Sequence, residues 1–149
     1  MRLVSAWVVV ALACACSPLT GGDAPDQWQA VDVTVLPVEA PAERVGRLIY
    51  RGGLELRSDD PTFVGLSGIE VLENNRVIAI SDEADWIEAY LQLDESGTLV
   101  GFAGVRTAWM RNENGRAFAT KREGDSEGLA QLPDGRFAVS FERTHVIRI

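Results

Sequence analysis

Cysteine is nearly missing from this 149-residue chain, and the two present, Cys14 and Cys16, stand together near its start. The rest of the sequence therefore carries no internal disulfide and no cysteine-ligated metal. Histidine is scarcer still, His145 alone, so any metal would be held mainly by oxygen donors. Basic residues are outnumbered, 14 Lys and Arg against 22 Asp and Glu, for a formal net charge of −8. That balance argues against nucleic-acid binding and against a polybasic membrane-surface protein, both of which need a basic face. No apolar run reaches the roughly 20 residues of a membrane-spanning helix. No Gly-rich loop opens a helix, which leaves nucleotide binding without support. What remains is 46% hydrophobic and 24% charged, with mean hydropathy +0.01. This is the composition of a folded chain, at a length that suggests one domain.

The first segment is set apart from the fold. Arg2 precedes an apolar run from Leu3 to Ala13, followed by Cys14-Ala15-Cys16-Ser17-Pro18. One positive charge, about a dozen apolar residues and small residues at the end make a secretory signal over residues 1–15. A Cys after small residues resembles a bacterial lipoprotein cleavage site, with Cys14 and Cys16 as comparable lipidation candidates. Ordinary cleavage after an Ala-x-Ala site is the alternative. Either way the protein is expected to be exported, to the periplasm or cell envelope, touching membrane only through a lipid anchor. Loss of Arg2 takes the charge from −8 to −9.

Four of the six prolines lie between Pro18 and Pro41. Residues 16–44 read as a tether with one embedded strand, Val31–Val35, in which valines alternate. From Val45 the pattern is β throughout. Strands are expected at 47–56, 68–72, 76–81, 87–93, 99–105, 128–132, 136–141 and 145–149. Asn, Asp, Gly and Pro clusters separate them. No window of a dozen residues shows a helical stripe, so the fold class is all-β.

An internal repeat organises this β region. Residues 67–82 align without gaps to residues 127–142, an offset of 60. Gly68/Gly128, Leu72/Leu132 and Arg76/Arg136 are identical, and Asp82/Glu142 are both acidic. Each copy reads as strand, tight turn, strand, then carboxylate. Repeated hairpins at about 40–50 residues mark propeller blades, and 60 fits a blade with longer loops. Two similar hairpins in a sandwich is the alternative.

Three stretches carry a resemblance: Phe63–Glu70 with Ala79–Glu83, then Glu123–Ala130, then Asp134–Ile147. In order and spacing they resemble the bacterial phytase-like family, described by an esterase-like activity and composed of exported β-propeller proteins. The Asp-x-Glu-Gly-Leu-Ala block followed by Val-Ser-Phe-Glu-Arg is the most specific part. The resemblance covers residues 45–149 and implies a partial propeller, two to three blades of a six-bladed type. It implies carboxylates at one mouth, metal-dependent hydrolysis, and a site at Asp82, Asp125, Glu127, Glu142 and Arg143, with His145 close behind. One departure is visible: family members often have Arg-Gly after the Ser-Asp pair, where this chain has Glu83-Ala84.

The residues support the same chemistry independently. Asp82 and Glu142 occupy one repeat position just past an apolar strand, Glu127 opens the second copy, and Asp125 lies two residues before it. Converging carboxylates repel one another unless a cation neutralises them. Oxygen donors favour Ca²⁺ or Mg²⁺ over zinc, and Ca²⁺ is the expected ion at Asp82, Asp125, Glu127 and Glu142. Glu127, Glu142 and His145 are then the catalytic candidates, and Arg143 the anion-binding one for a small phosphorylated or ester substrate. Plainer readings stand beside these. Asp82 and Asp125 also suit turns, Glu142-Arg143 a surface ion pair, and His145, alternating with Ile147 and Ile149, a packed position.

Gly124-Asp125-Ser126-Glu127-Gly128 matches the nucleophile elbow of α/β hydrolases, but that motif needs a following helix, and a strand and hairpin follow here. Trp28, Trp86 and Trp109 are expected in core or inter-blade space. The function expected is hydrolysis of a phosphoester or other ester. A non-catalytic envelope binding module, or an inactive portion of a longer propeller, is the alternative. Two or so blades leave sheet edges uncovered, so residues 45–149 read as short for a closed ring of ~4–8 blades.

Overall fold

Short runs of alternating apolar and polar residues, bounded by Asn, Asp, Gly and Pro, build the chain almost wholly from strands. The computed structural model describes residues 28–40 and 42–149. In chain order its strands are β1 (Gln29–Ala30), β2 (Thr34–Pro37), β3 (Arg44–Val45), β4 (Leu48–Ile49), β5 (Leu54–Arg57) and β6 (Leu66–Val71). They continue as β7 (Arg76–Ser81), β8 (Asp85–Leu93), β9 (Leu99–Trp109), β10 (Ser126–Gln131), β11 (Phe137–Phe141) and β12 (Val146–Arg148). The segment read as a signal, with Cys14 and Cys16, lies outside the described residues.

Strands β6 to β9 form an antiparallel meander, and β1 adds to its outer edge, in the order β1-β9-β8-β7-β6. Strands β10-β11-β12 form a second antiparallel sheet; β2 pairs with β5 and β3 with β4. The all-β expectation holds. The described residues make a meander of four strands with one added edge strand, a separate three-stranded sheet and two short two-stranded pairs, and do not close a ring.

The repeat is preserved bond for bond. In the first hairpin Leu66 pairs with Ser81 and Gly68 with Ile80; in the second Ser126 pairs with Phe141 and Gly128 with Ser140. Every pairing shifts by 60, including a β-bulge that leaves Ser67 and Glu127 unpaired in their ladders. The hairpins pack side by side, with Ser67 Oγ donating to the Ser126 carbonyl (2.7 Å). Gly68 permits this approach: a Cβ there would stand 3.0 Å from Ile80, Leu129 Cβ and the Leu129 nitrogen.

Two apolar clusters follow from the alternation. Val77, Ala79, Ile87, Ala89 and Val105 line one face of the first sheet, covered by Val31 and Phe63. Ile80, Ala84, Met110, Val139 and Phe141 fill the space between the two sheets, joined by Trp86, Phe118 and Leu129.

Several expected boundaries move. The strand expected at 31–35 runs at Thr34–Pro37, because Val31 turns inward to 8% exposure against the sheet. The fold thus continues N-terminal to residue 45. The strand expected at 47–56 is two, β4 and β5, separated at Gly52-Gly53, where Gly52 takes φ 98. The last strand begins at Val146, since His145 sits in the left-handed region (φ 51) and closes a turn. One α-helical turn, α1 (Lys121–Gly124), is present; Thr120 caps it by accepting from the Glu123 N–H (3.4 Å). At four residues it is too short to show an apolar stripe.

Candidate metal and substrate site

The site grows from the second hairpin and the turn before it. The bulge in β10 removes Glu127 from the ladder, and such bulges re-aim a side chain. Glu142 follows the last residue of β11, and its N–H donates to the Asp125 carbonyl (2.9 Å), which ties the two ends together. Asp125, Glu127 and Glu142 each offer a carboxylate oxygen within 4.8 Å of the others. Asp125 is buried, whereas Glu127 and Glu142 are exposed.

Asp125 already holds two cations. Arg143 Nε donates to its Oδ2 (2.5 Å), and Lys121 Nζ lies 3.1 Å from its Oδ1. These bonds, Arg143 first and Lys121 second, hold the Asp125 carboxyl below the usual carboxylate range against the opposing effect of burial. For Lys121 burial lowers the pKa, but its bonds to Asp82 and Asp125 outweigh this and raise it. The side-chain carboxylates of Glu127 and Glu142 have no hydrogen-bond or ion-pair partner among the described residues. A hard divalent cation suits this set, with Glu127 and Glu142 as its free ligands and Asp125 as a shared one.

Asp82, expected in the same group, is elsewhere. Lys121 Nζ donates to its carbonyl (2.7 Å) and its Oδ2 (2.5 Å), so the lysine bridges Asp82 to Asp125. Arg143 is not a free anion receptor; its Nε is committed to Asp125, while its side chain stays 56% exposed. None of the described residues accepts from its terminal nitrogens. His145 is exposed on the turn that Glu142 opens, its N–H directed at the Glu142 carbonyl (3.2 Å). Lys121 escaped sequence reading; the signal that could have found it is Thr120-x-x-Glu123, a helix-start signature in front of Asp125.

Ser126 cannot serve as an elbow nucleophile. It is fully buried, opens a strand rather than a helix, and its Oγ donates to the Ser81 carbonyl (2.5 Å). Of the tryptophans, Trp86 packs between the sheets against Phe137 (5.9 Å between ring centroids). Trp28 instead lies under Arg106 (5.2 Å), and Trp109 is 38% exposed.

No curated protein and no solved structure matches the chain. Residues 61–149, which include both hairpins and the whole carboxylate group, match the phytase-like family, described as having the esterase-like activity of phytase, and the chain belongs to that family.

Proposed function

We propose that the protein is an exported, metal-dependent hydrolase of phosphoesters or other small esters, working at Asp125, Glu127 and Glu142. The observation that carries this reading is the approach of three carboxylates, two without protein partners, beside the half-exposed Arg143. Their mutual repulsion is relieved by a divalent cation, for which Ca²⁺ is the assignment. When bound, such a cation polarises a phosphoryl or carbonyl oxygen and lowers the pKa of a bound water. Glu127 and Glu142 hold it, and Asp125 fixes the orientation of Arg143 through its bond to Nε. The outward guanidinium nitrogens then receive a substrate oxygen. His145, on the Glu142 turn, is assigned proton transfer to the departing group.

The two meanders are read as consecutive blades of a six-bladed type of propeller, with this mouth at one end of the ring. Export directs the chain to the periplasm or cell envelope, with Cys14 or Cys16 as the lipid attachment. The test is turnover of a nitrophenyl phosphate and a short-chain nitrophenyl ester, with calcium and with chelator. Turnover that needs calcium and disappears in Glu127→Gln supports the reading. The commitment of Asp125 to Lys121 and Arg143 favours a second reading, a binding module with a structural cation. Absent turnover together with calcium-dependent stabilisation would select it.

A further inference from the structure

Among the described residues three carboxylates are almost fully buried, and they are not treated alike. Glu88, 1% exposed, is paired with Arg76 and Arg106. Asp125, 3% exposed, is paired with Lys121 and Arg143. Asp85, 7% exposed, has no cation against it. Its Oδ2 accepts from Ser81 Oγ at 3.2 Å, and no donor reaches its other oxygen.

Asp85 lines a cavity of about 350 Å³, within the size range of small-ligand pockets. Trp109, Met110 and Phe118 supply apolar and aromatic wall, and Thr62 and Glu83 add polar atoms. No basic side chain lines it. The charged groups that act on Asp85 are Glu83, on its own turn, and Asp60, from the segment before β6; both are acidic. The one charged residue of the paired strand β9, Arg106, lies opposite Glu88 and is bonded to it, and the wall at Ala117 and Phe118 brings no charge. A buried anion among aromatic rings, with acidic neighbours and no counter-ion, suits a positively charged group carried on an apolar body.

We propose that this cavity is a binding site for an organic ammonium compound, its cationic nitrogen on Asp85 and its apolar part against Trp109, Met110 and Phe118. The site shares no residue with the carboxylate group at Asp125 and stands independently of the hydrolytic reading. Burial pushes the Asp85 carboxyl up to about 6, so a proton competes with the ammonium in mildly acidic solution.

The test is titration of the full chain with benzylammonium near neutral pH. Tryptophan emission and the side-chain carboxyl ¹³C shift of Asp85 are followed, with benzyl alcohol as the uncharged comparison. The amine is expected to saturate at a Kd about tenfold below that of the alcohol, the size of one charge-assisted contact. Asp85→Asn removes that preference, and affinity for the amine falls several-fold toward roughly pH 5 as the carboxyl protonates. Equal binding of amine and alcohol, or an Asp85→Asn protein that keeps the preference, overturns the proposal. If that variant fails to fold, the native protein decides. An Asp85 carboxyl signal unmoved at amine saturation, or an affinity unchanged across this pH range, overturns the proposal equally.

Discussion

Glu142 donates its backbone N–H to the Asp125 carbonyl at 2.9 Å, as Asp82 does to the Gly65 carbonyl at 2.8 Å sixty residues earlier. The bond is repeated while the side chains around it are not. Gly65, Ser67 and Asp82 stand in the first hairpin where Asp125, Glu127 and Glu142 stand in the second. Gly65 takes φ 54, and a Cβ there would lie 1.9 Å from Asp82 Oδ1. An acid at that position in the first hairpin would take a strained backbone and would have to displace the Asp82 carboxylate. The triple acid site belongs to the second hairpin, and Asp82 is joined to it only through Lys121.

That asymmetry separates the four acids experimentally. At calcium near 100 times its Kd, binding adds about 2.7 kcal/mol to stability. Glu127→Gln and Glu142→Gln are each expected to abolish most of this gain, measured as the calcium-induced rise in Tm. Asp82→Asn is expected to keep it, since Asp82 lies outside the group. Loss of the calcium effect in Asp82→Asn would restore Asp82 to the ligand set and contradict the geometry.

The two glycines at equivalent repeat positions should respond differently to the same change. An alanine at Gly68 meets Ile80 of its own hairpin and the Leu129 backbone of the other, both at 3.0 Å, and the second contact is the one that holds the two hairpins together. Overpacking of this kind costs about 1–3 kcal/mol. At Gly128 the added carbon meets only the Ser140 side chain, its Oγ at 2.7 Å, an atom that can rotate away, and its Cβ at an ordinary 3.8 Å. Gly128→Ala is expected to change stability by about 0.5 kcal/mol or less. Urea denaturation of both variants measures the difference, and equal losses would refute the packing argument.

Glu88 makes a third case. Burial raises its pKa, and the hydrogen bonds from Arg76 and Arg106 more than reverse this. Replacing both arginines by Met strands a carboxylate that is 1% exposed, and such losses run about 3–5 kcal/mol. Adding Glu88→Leu to that pair should recover most of the loss, because an apolar trio of similar volume has nothing to leave unpaired. A triple variant no more stable than the double one would show that the charge is not the cause.

Much of this architecture was legible in the sequence because strands alternate with period two and the repeat copies its own turns. Gly68 and Gly128, or Asp82 and Glu142, could be paired by counting. The separation of Asp82 from the other acids was not legible, because equal repeat position says nothing about Lys121, which reaches in from 39 residues away. The role of Val31 was hidden by its Pro-rich surroundings, which suggest an extended tether whatever the chain packs against. Asp85 gave no signal at all. Its burial depends on Trp109 lying opposite it across the β8–β9 pair and on Phe118 at the cavity wall.

Asp85 also sets an unusual pH dependence of folding. Its carboxyl titrates at 3.8 when unfolded and, through burial, at about 6 when folded. Between these values the folded state binds more protons, so stability rises as pH falls from about 6 toward 4 and is flat above 6. At roughly 1.4 kcal/mol per pKa unit, the full effect approaches about 3 kcal/mol. Asp125 and Glu88 act in the opposite sense. Their folded pKa values are lowered, so their contribution is present above the ordinary carboxylate range and is lost as pH falls below it. A stability maximum is therefore expected between about pH 4 and 5, below the usual maximum for proteins of roughly pH 5–8. Urea midpoints from neutral to acidic pH measure it. Asp85→Asn should remove the rise between 6 and 4 while leaving the fall below it, which Arg143→Met should weaken by releasing Asp125. If the native protein and Asp85→Asn trace parallel curves across this range, Asp85 is ionised in the fold at an ordinary pKa. The carboxylate would then be solvated rather than buried.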